Sequence, residues 1–411
     1  MRKFVALAFI QLGFLAACGG GGYRAATIIV PPPSQNIATP GPPNVETLAV
    51  DAGPAGAVNA AFVSVKVCVP GSTTSCKTID HIEVDTGSVG LRILSSVLTT
   101  APAITLPPHT DGTNPLAECL RFADGDAWGP LAVADIQLPV SGESATSVNV
   151  QVIGDPAYTA LPTDCMTNPE NTVAKFGANG ILGVGPFAQD CGSACVGGIP
   201  STGAVYYSCP SPSSCASAPL STLLQQLQNP VSLFATDNNG VIVELPAVGG
   251  AGAATVTGVL VFGIGTQSNN ALGSATVLQG NTFSGLITAT YKGTAYSDGF
   301  IDSGSNGNFF TDSSLPTNCT AGTQWYCPTS TVNETVSLQG TNSTMLTANF
   351  SVASADALFA NTTYTAFSNL GGTNPDAMGF DLGLPFYYGR NIYTAIENAS
   401  VGGNTGPFFA Y

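Results

Sequence analysis

Two short segments carry the residue types best able to do chemistry. His81-Ile82-Glu83-Val84-Asp85-Thr86-Gly87-Ser88 and Gly299-Phe300-Ile301-Asp302-Ser303-Gly304-Ser305 are each an apolar run ending in Asp-Thr/Ser-Gly-Ser. In a chain with 48 glycines one such turn carries little weight, because Asp-Gly turns are common. Its recurrence in both halves of the chain matters more, since a pseudo-twofold axis would then set Asp85 beside Asp302. Two carboxyls held close cannot both ionise, so their proton affinities separate and the pair keeps one proton between them. The ionised member can deprotonate a water while the other protonates a carbonyl oxygen, which is hydrolysis without an acyl-enzyme.

Other chemistries are weaker. His81, Glu83 and Asp85 alternate and would share one strand face, a pattern open to metal ligation, but a polar strand edge accounts for it and no metal or other cofactor is expected. A serine hydrolase lacks its Gly-x-Ser-x-Gly elbow, and His81 and His109 are the only candidate bases. Cys191, Cys195, Cys209 and Cys215 crowd one Gly/Ser/Pro-rich insertion with no histidine nearby, which favours disulfides over zinc.

The elements that must position these groups follow from composition. With 25 Asp/Glu against 10 Lys/Arg and a net charge of −15, the chain has no basic stripe for nucleic acid. Its 44% hydrophobic content excludes intrinsic disorder. A length of 411 residues exceeds what one core usually organises, so two lobes are expected. Short β-rich runs at 61–69, 148–153, 241–245, 258–262 and 286–291 are bounded by Gly, Pro, Asn or Ser. The clearest helix is expected at 221–228, with Leu223, Leu224 and Leu227 on one face and Pro230 ending it.

The N-terminus belongs to targeting. Met1-Arg2-Lys3 precedes an apolar run at 4–15, too short to span a bilayer, and Leu15-Ala16-Ala17-Cys18 resembles the bacterial lipobox. The resemblance implies a signal peptide at 1–17, lipid on Cys18 and membrane attachment in the bacterial envelope; Gly19 resembles the outer-membrane sorting signal. Residues 18–46, rich in Gly and Pro, read as a flexible tether. Loss of Arg2 and Lys3 would leave 25 acids facing 8 bases, a net charge of −17. Of 11 cysteines, all but Cys18 form an even set suited to an oxidising compartment. Cys68 and Cys76, and Cys319 and Cys327, flank short polar loops and are expected to pair; Cys119 with Cys165 would leave the other four to pair within the insertion.

The duplicated turns resemble those of pepsin-like aspartic proteases. The similarity extends to Phe122-Ala123-Asp124-Gly125, which resembles the flap that closes over substrate, and to Gly180-Ile181-Leu182-Gly183 and Phe380-Asp381-Leu382-Gly383, which resemble the apolar-Gly segments beneath the catalytic turns. It implies a mainly β, bilobal fold with lobes at 47–235 and 236–411, a substrate cleft between them, and an endopeptidase acting on peptide or protein as a monomer. Gly87 and Gly304 would bring N–H groups to the inner carboxylate oxygens, Thr86 and Ser303 would cross-link the turns, and Ser88 and Ser305 would fix the outer oxygens. Three positions depart from the family: Phe122 replaces a flap Tyr, Arg92 its Trp partner, and Asp381 an apolar residue. A non-catalytic binding relative is therefore the alternative. The chain also resembles a proteobacterial lipoprotein family defined only as a domain of unknown function.

Overall fold

The computed structural model describes residues 35–411 except 160, 166–167 and 202–204. The expected signal peptide, Cys18 and the first part of the tether lie outside these residues. The chain is mainly β, with 41% strand and 8% helix in barrel-like sheets. Runs of Val, Ile, Thr and aromatic residues, broken by Gly and Pro, favour this outcome.

The first half contributes β1 (Val45–Val50), β2 (Ala61–Cys68), β3 (Cys76–Asp85), β4 (Val89–Leu94), β5 (Leu116–Arg121), β6 (Asp126–Gln137), β7 (Ser144–Ile153) and β8 (Gly180–Val184). The Cys-rich insertion adds β9 (Tyr206–Ser211) and β10 (Ser214–Ser217). Then come β11 (Gly240–Leu245), β12 (Val256–Phe262), β13 (Val277–Gln279), β14 (Ile287–Tyr291), β15 (Thr294–Ile301), β16 (Asn308–Phe309), β17 (Val332–Gln339) and β18 (Met345–Val352). The chain closes with β19 (Gly371–Gly372), β20 (Gly379–Leu382), β21 (Arg390–Ala395), β22 (Ser400–Val401), β23 (Asn404–Thr405) and β24 (Phe408–Ala410).

One pairing pattern occurs twice. β3 runs parallel to β8, β8 antiparallel to β4, and β4 parallel to β7. Likewise β15 runs parallel to β20, β20 antiparallel to β16, and β16 parallel to β19. In each copy an apolar-Gly strand threads between the strand entering an Asp-containing turn and the strand leaving it. β4 and β8 are buried throughout and read as nearly unbroken apolar runs, as strands covered on both faces do. The two halves share a sheet, because β1 pairs with β12 from Val45↔Val261 to Val50↔Val256. Residues Gln35–Tyr411 form one compact unit.

Two local expectations are corrected. The tether does not extend to 46: the Gln35 side chain donates to the carbonyls of Leu245 and Arg390, the Ala38 N–H donates to Glu244, and β1 begins at Val45. The helix at 221–228 shrinks to the 3-10 turn Leu223–Gln225. Gln225 closes a capping box with Thr222 that starts the turn, but Gln226 is extended and reaches across to Cys191 and Gly192, which pulls the chain off the helical path. Leu224 is consequently exposed while Leu227 is buried.

Among the described residues, five disulfides staple the fold. Cys68 bonds Cys76, Cys119 bonds Cys165 and Cys319 bonds Cys327. Within the insertion, Cys191 bonds Cys195 and Cys209 bonds Cys215.

Candidate active site

β3 and β15 end at Asp85 and Asp302, and the turns that follow lock into one another. The Ser303 N–H donates to Thr86 Oγ1 at 2.9 Å, and the Thr86 N–H donates to Ser303 Oγ at 3.2 Å. Ser303 Oγ in turn donates to the Val84 carbonyl at 2.7 Å, and Thr86 Oγ1 reaches the Ile301 carbonyl at 3.5 Å. Both side chains are buried, so removing either hydroxyl would strand a polar partner away from water. The Tyr387 hydroxyl joins the network at 2.9 Å from Thr86 Oγ1.

This clasp sets the carboxyls face to face. Asp85 Oδ1 accepts from the N–H groups of Gly87 (2.7 Å) and Ser88 (3.2 Å), and Asp302 Oδ1 accepts from the Gly304 N–H at 2.8 Å. A Cβ on Gly87 would fall 2.6 Å from Asp302 Oδ2, and one on Gly304 would fall 2.6 Å from Asp85 Oδ1. Only glycine fits where each turn meets the opposite carboxyl. The serines differ in role: Ser305 Oγ donates to Asp302 Oδ2 at 3.1 Å, whereas Ser88 contacts Asp85 through its backbone and its buried hydroxyl has no partner. The matched roles expected for the two serines are thus corrected to an asymmetric pair.

Asp85 is 5% and Asp302 9% exposed, and Gly87 is open to solvent above them. Burial pushes the Asp302 pKa well up; the charges of Asp85 and Asp381 and a hydrogen bond with Asp85 add to this, while the Gly304 N–H opposes it. The Asp381 carboxyl is also pushed well up, chiefly by burial, with Ser305 opposing and Asp85 adding.

β5 and β6 form the hairpin expected as a flap, with the Phe122 N–H donating to the Gly125 carbonyl across the turn. The exposed Ala123 and Asp124 mark its tip. The Phe122 ring packs edge-on against Phe176 with centroids 6.0 Å apart. The hairpin is braced, since β5 pairs with β9 and Cys119 is tied to Cys165. Asn168 also holds the turn, donating through Nδ2 to the Asp124 carbonyl.

Arg92 has become the centre of a buried network. It donates to Glu118 on β5 at 2.8 Å, to Asp190 at 3.2 Å and to the Val89 carbonyl at 2.7 Å. The Tyr206 hydroxyl donates to Asp190 and accepts from the Leu227 N–H. An arginine inside an otherwise apolar strand was the available signal; its partners, distant in sequence, were not legible. Tyr387 and Asn59 were missed as well. Asn59 donates to the carbonyls of Asn306 and Phe367 and accepts from the Phe367 N–H, which steadies the loop beyond the second turn.

His81 does not join Glu83 and Asp85. It adopts a left-handed φ of 47°, where the β2–β3 register shifts, and its ring nitrogens lie 3.3 Å from Asp51 and 3.2 Å from Asp80. The bulge breaks the alternation on which a shared face depends.

A family model described as "Protein of unknown function (DUF3443)" matches residues 40–411, and the chain belongs to that family. Comparison with curated proteins found none that matches.

Proposed function

We propose that this protein is an aspartic-type endopeptidase of pepsin-like, two-lobed architecture. The observation that carries the reading is the reciprocal clasp of Thr86 and Ser303, which holds Asp85 and Asp302 together at the meeting of two like-paired strand sets. In this reading, the protonated member of the pair polarises the scissile carbonyl while the ionised member takes a proton from water, and the two exchange roles as the tetrahedral intermediate collapses. The pair titrates as a unit, so neither carboxyl is permanently the acid or the base. Lipid on Cys18 would hold the enzyme at the envelope; a Cys18→Ser variant released from membranes would support that placement, and one that stays bound would refute it.

Hydrolysis of unfolded protein by the soluble domain at pH 4–7, blocked by pepstatin, is the direct test. Asp85→Asn and Asp302→Asn should each lower kcat by roughly 10²–10⁴-fold, the scale of general acid–base catalysis. Cleavage undiminished in either variant would remove the dyad from the chemistry. A non-catalytic peptide-binding role is the second reading, favoured by the Phe122 ring, which offers no hydroxyl at the hairpin tip and packs on Phe176. Peptide binding without turnover would favour it.

A further inference from the structure

The floor on either side of the dyad is unusual in containing acids. Residues two apart on a strand share a face, so Glu83 lies beside Asp85 on β3 and Phe300 beside Asp302 on β15. Parallel pairing sets Ile181 next to Glu83 and Asp381 next to Phe300. Each flank of the dyad therefore combines one apolar and one acidic side chain, with the acid on the entering strand in one half and on the threading strand in the other. The charges acting on Glu83 are Asp85, Asp124 and Glu170, the last two at the hairpin tip and its brace. Those acting on Asp302 are Asp85 and Asp381. Asp381 is only 4% exposed and its Oδ1 lacks a hydrogen-bond partner, a costly state for a buried carboxyl.

We propose that the cleft is built for substrates with basic side chains on both sides of the scissile bond, one seated against Glu83 and Ile181 and the other against Asp381 and Phe300. The inference rests on the hydrolase reading for its chemistry, but not for its binding. Lys and Arg suit such flanks, because their aliphatic stems pack on an apolar neighbour while the charged end reaches the carboxyl. A cation there also supplies the partner that Asp381 Oδ1 lacks. The net charge of −15 would draw cationic peptides toward the cleft.

The test uses quenched peptides of one length whose central pair is Lys-Lys, Arg-Arg, Leu-Phe or Glu-Glu, with calorimetric binding of the same peptides to the Asp302→Asn protein. Dibasic peptides should exceed Leu-Phe in kcat/KM, and in affinity, by roughly 10–100-fold per flank, as charge-assisted hydrogen bonds allow. Glu83→Gln should erase the basic preference on one side of the bond, and Asp381→Asn on the other, with folding of each variant checked by circular dichroism. Dibasic binding without cleavage of any peptide would sink the hydrolase reading and uphold this one. Cleavage or binding of Leu-Phe as good as that of the dibasic peptides, or a preference unmoved in both folded variants, would overturn it.

Discussion

Asp85 and Asp302 are held by different means despite the matched turns. Beyond the bond the two share, Asp302 receives a hydroxyl from Ser305 while Asp85 receives backbone N–H groups. Ser305→Ala should therefore lower kcat by roughly tenfold, the worth of one hydrogen bond to a charged group, while Ser88→Ala should leave it within about twofold. Equal losses in the two variants would show that the asymmetry has no catalytic weight. Gly87 and Gly304 admit no such tuning, because any side chain there would occupy the space of the opposing carboxyl.

The hairpin β5–β6 is an element whose freedom is set by what it touches. Its outer edge is paired to β9, Cys119 ties it to Cys165, Glu118 binds Arg92 on β4, and Asn168 and Phe176 hold the tip from Phe122 to Gly125. Arg92→Leu would strand two buried carboxyls, Glu118 and Asp190, and should destabilise the fold by about 3–5 kcal/mol, the usual cost of breaking a buried ion pair from one side. Denaturant melts would measure it, and a loss below about 1 kcal/mol would mean that the network is dispensable. Arg92→Lys should rescue little, because a point charge cannot replace the guanidinium fork shared by Glu118 and Asp190.

Among the described residues, most of the acids whose proton affinity is shifted by the fold bind protons more tightly when folded. Burial pushes Glu143 and Glu170 up to about 7, with Asp237 adding at Glu143 and Asp124 and Asp126 adding at Glu170. Glu83, Asp302 and Asp381 move in the same direction. Between the ordinary carboxyl range and about 7 the folded chain holds more protons than the unfolded chain, so stability falls as pH rises through that window. Asp312 has the opposite sign: its carboxyl is held down at about 2 by Lys292, Ser314 and Tyr291 against the pull of burial, and its contribution is lost only in stronger acid. The thermal midpoint should thus be higher near pH 5 than near pH 7.5, and a midpoint that rises over this range would contradict the assignment. Glu170→Gln should raise the midpoint at pH 7.5 and leave it unchanged at pH 4.5, because the variant lacks only the charged form.

The strands, the duplicated Asp turns and the apolar-Gly segments were legible in the sequence because each is a local pattern: β-branched runs, punctuating glycines, and a motif whose residues are adjacent in the chain. Those patterns also brought Asp85 and Asp302 forward as a pair. Only tertiary structure decided what depends on contacts between distant residues. Arg92 draws its partners from positions 118 and 190, the bulge at His81 removes it from the face of Glu83, and the helix expected around Leu223 and Leu224 stops after one turn where Gln226 bonds Cys191 and Gly192. Asp381 was visible as an acid in an apolar segment, but its meaning depended on the β15–β20 register that sets it beside Phe300 and within reach of the dyad. A register shifted by one residue would turn that carboxyl to the opposite face, and no local pattern encodes which of the two is formed.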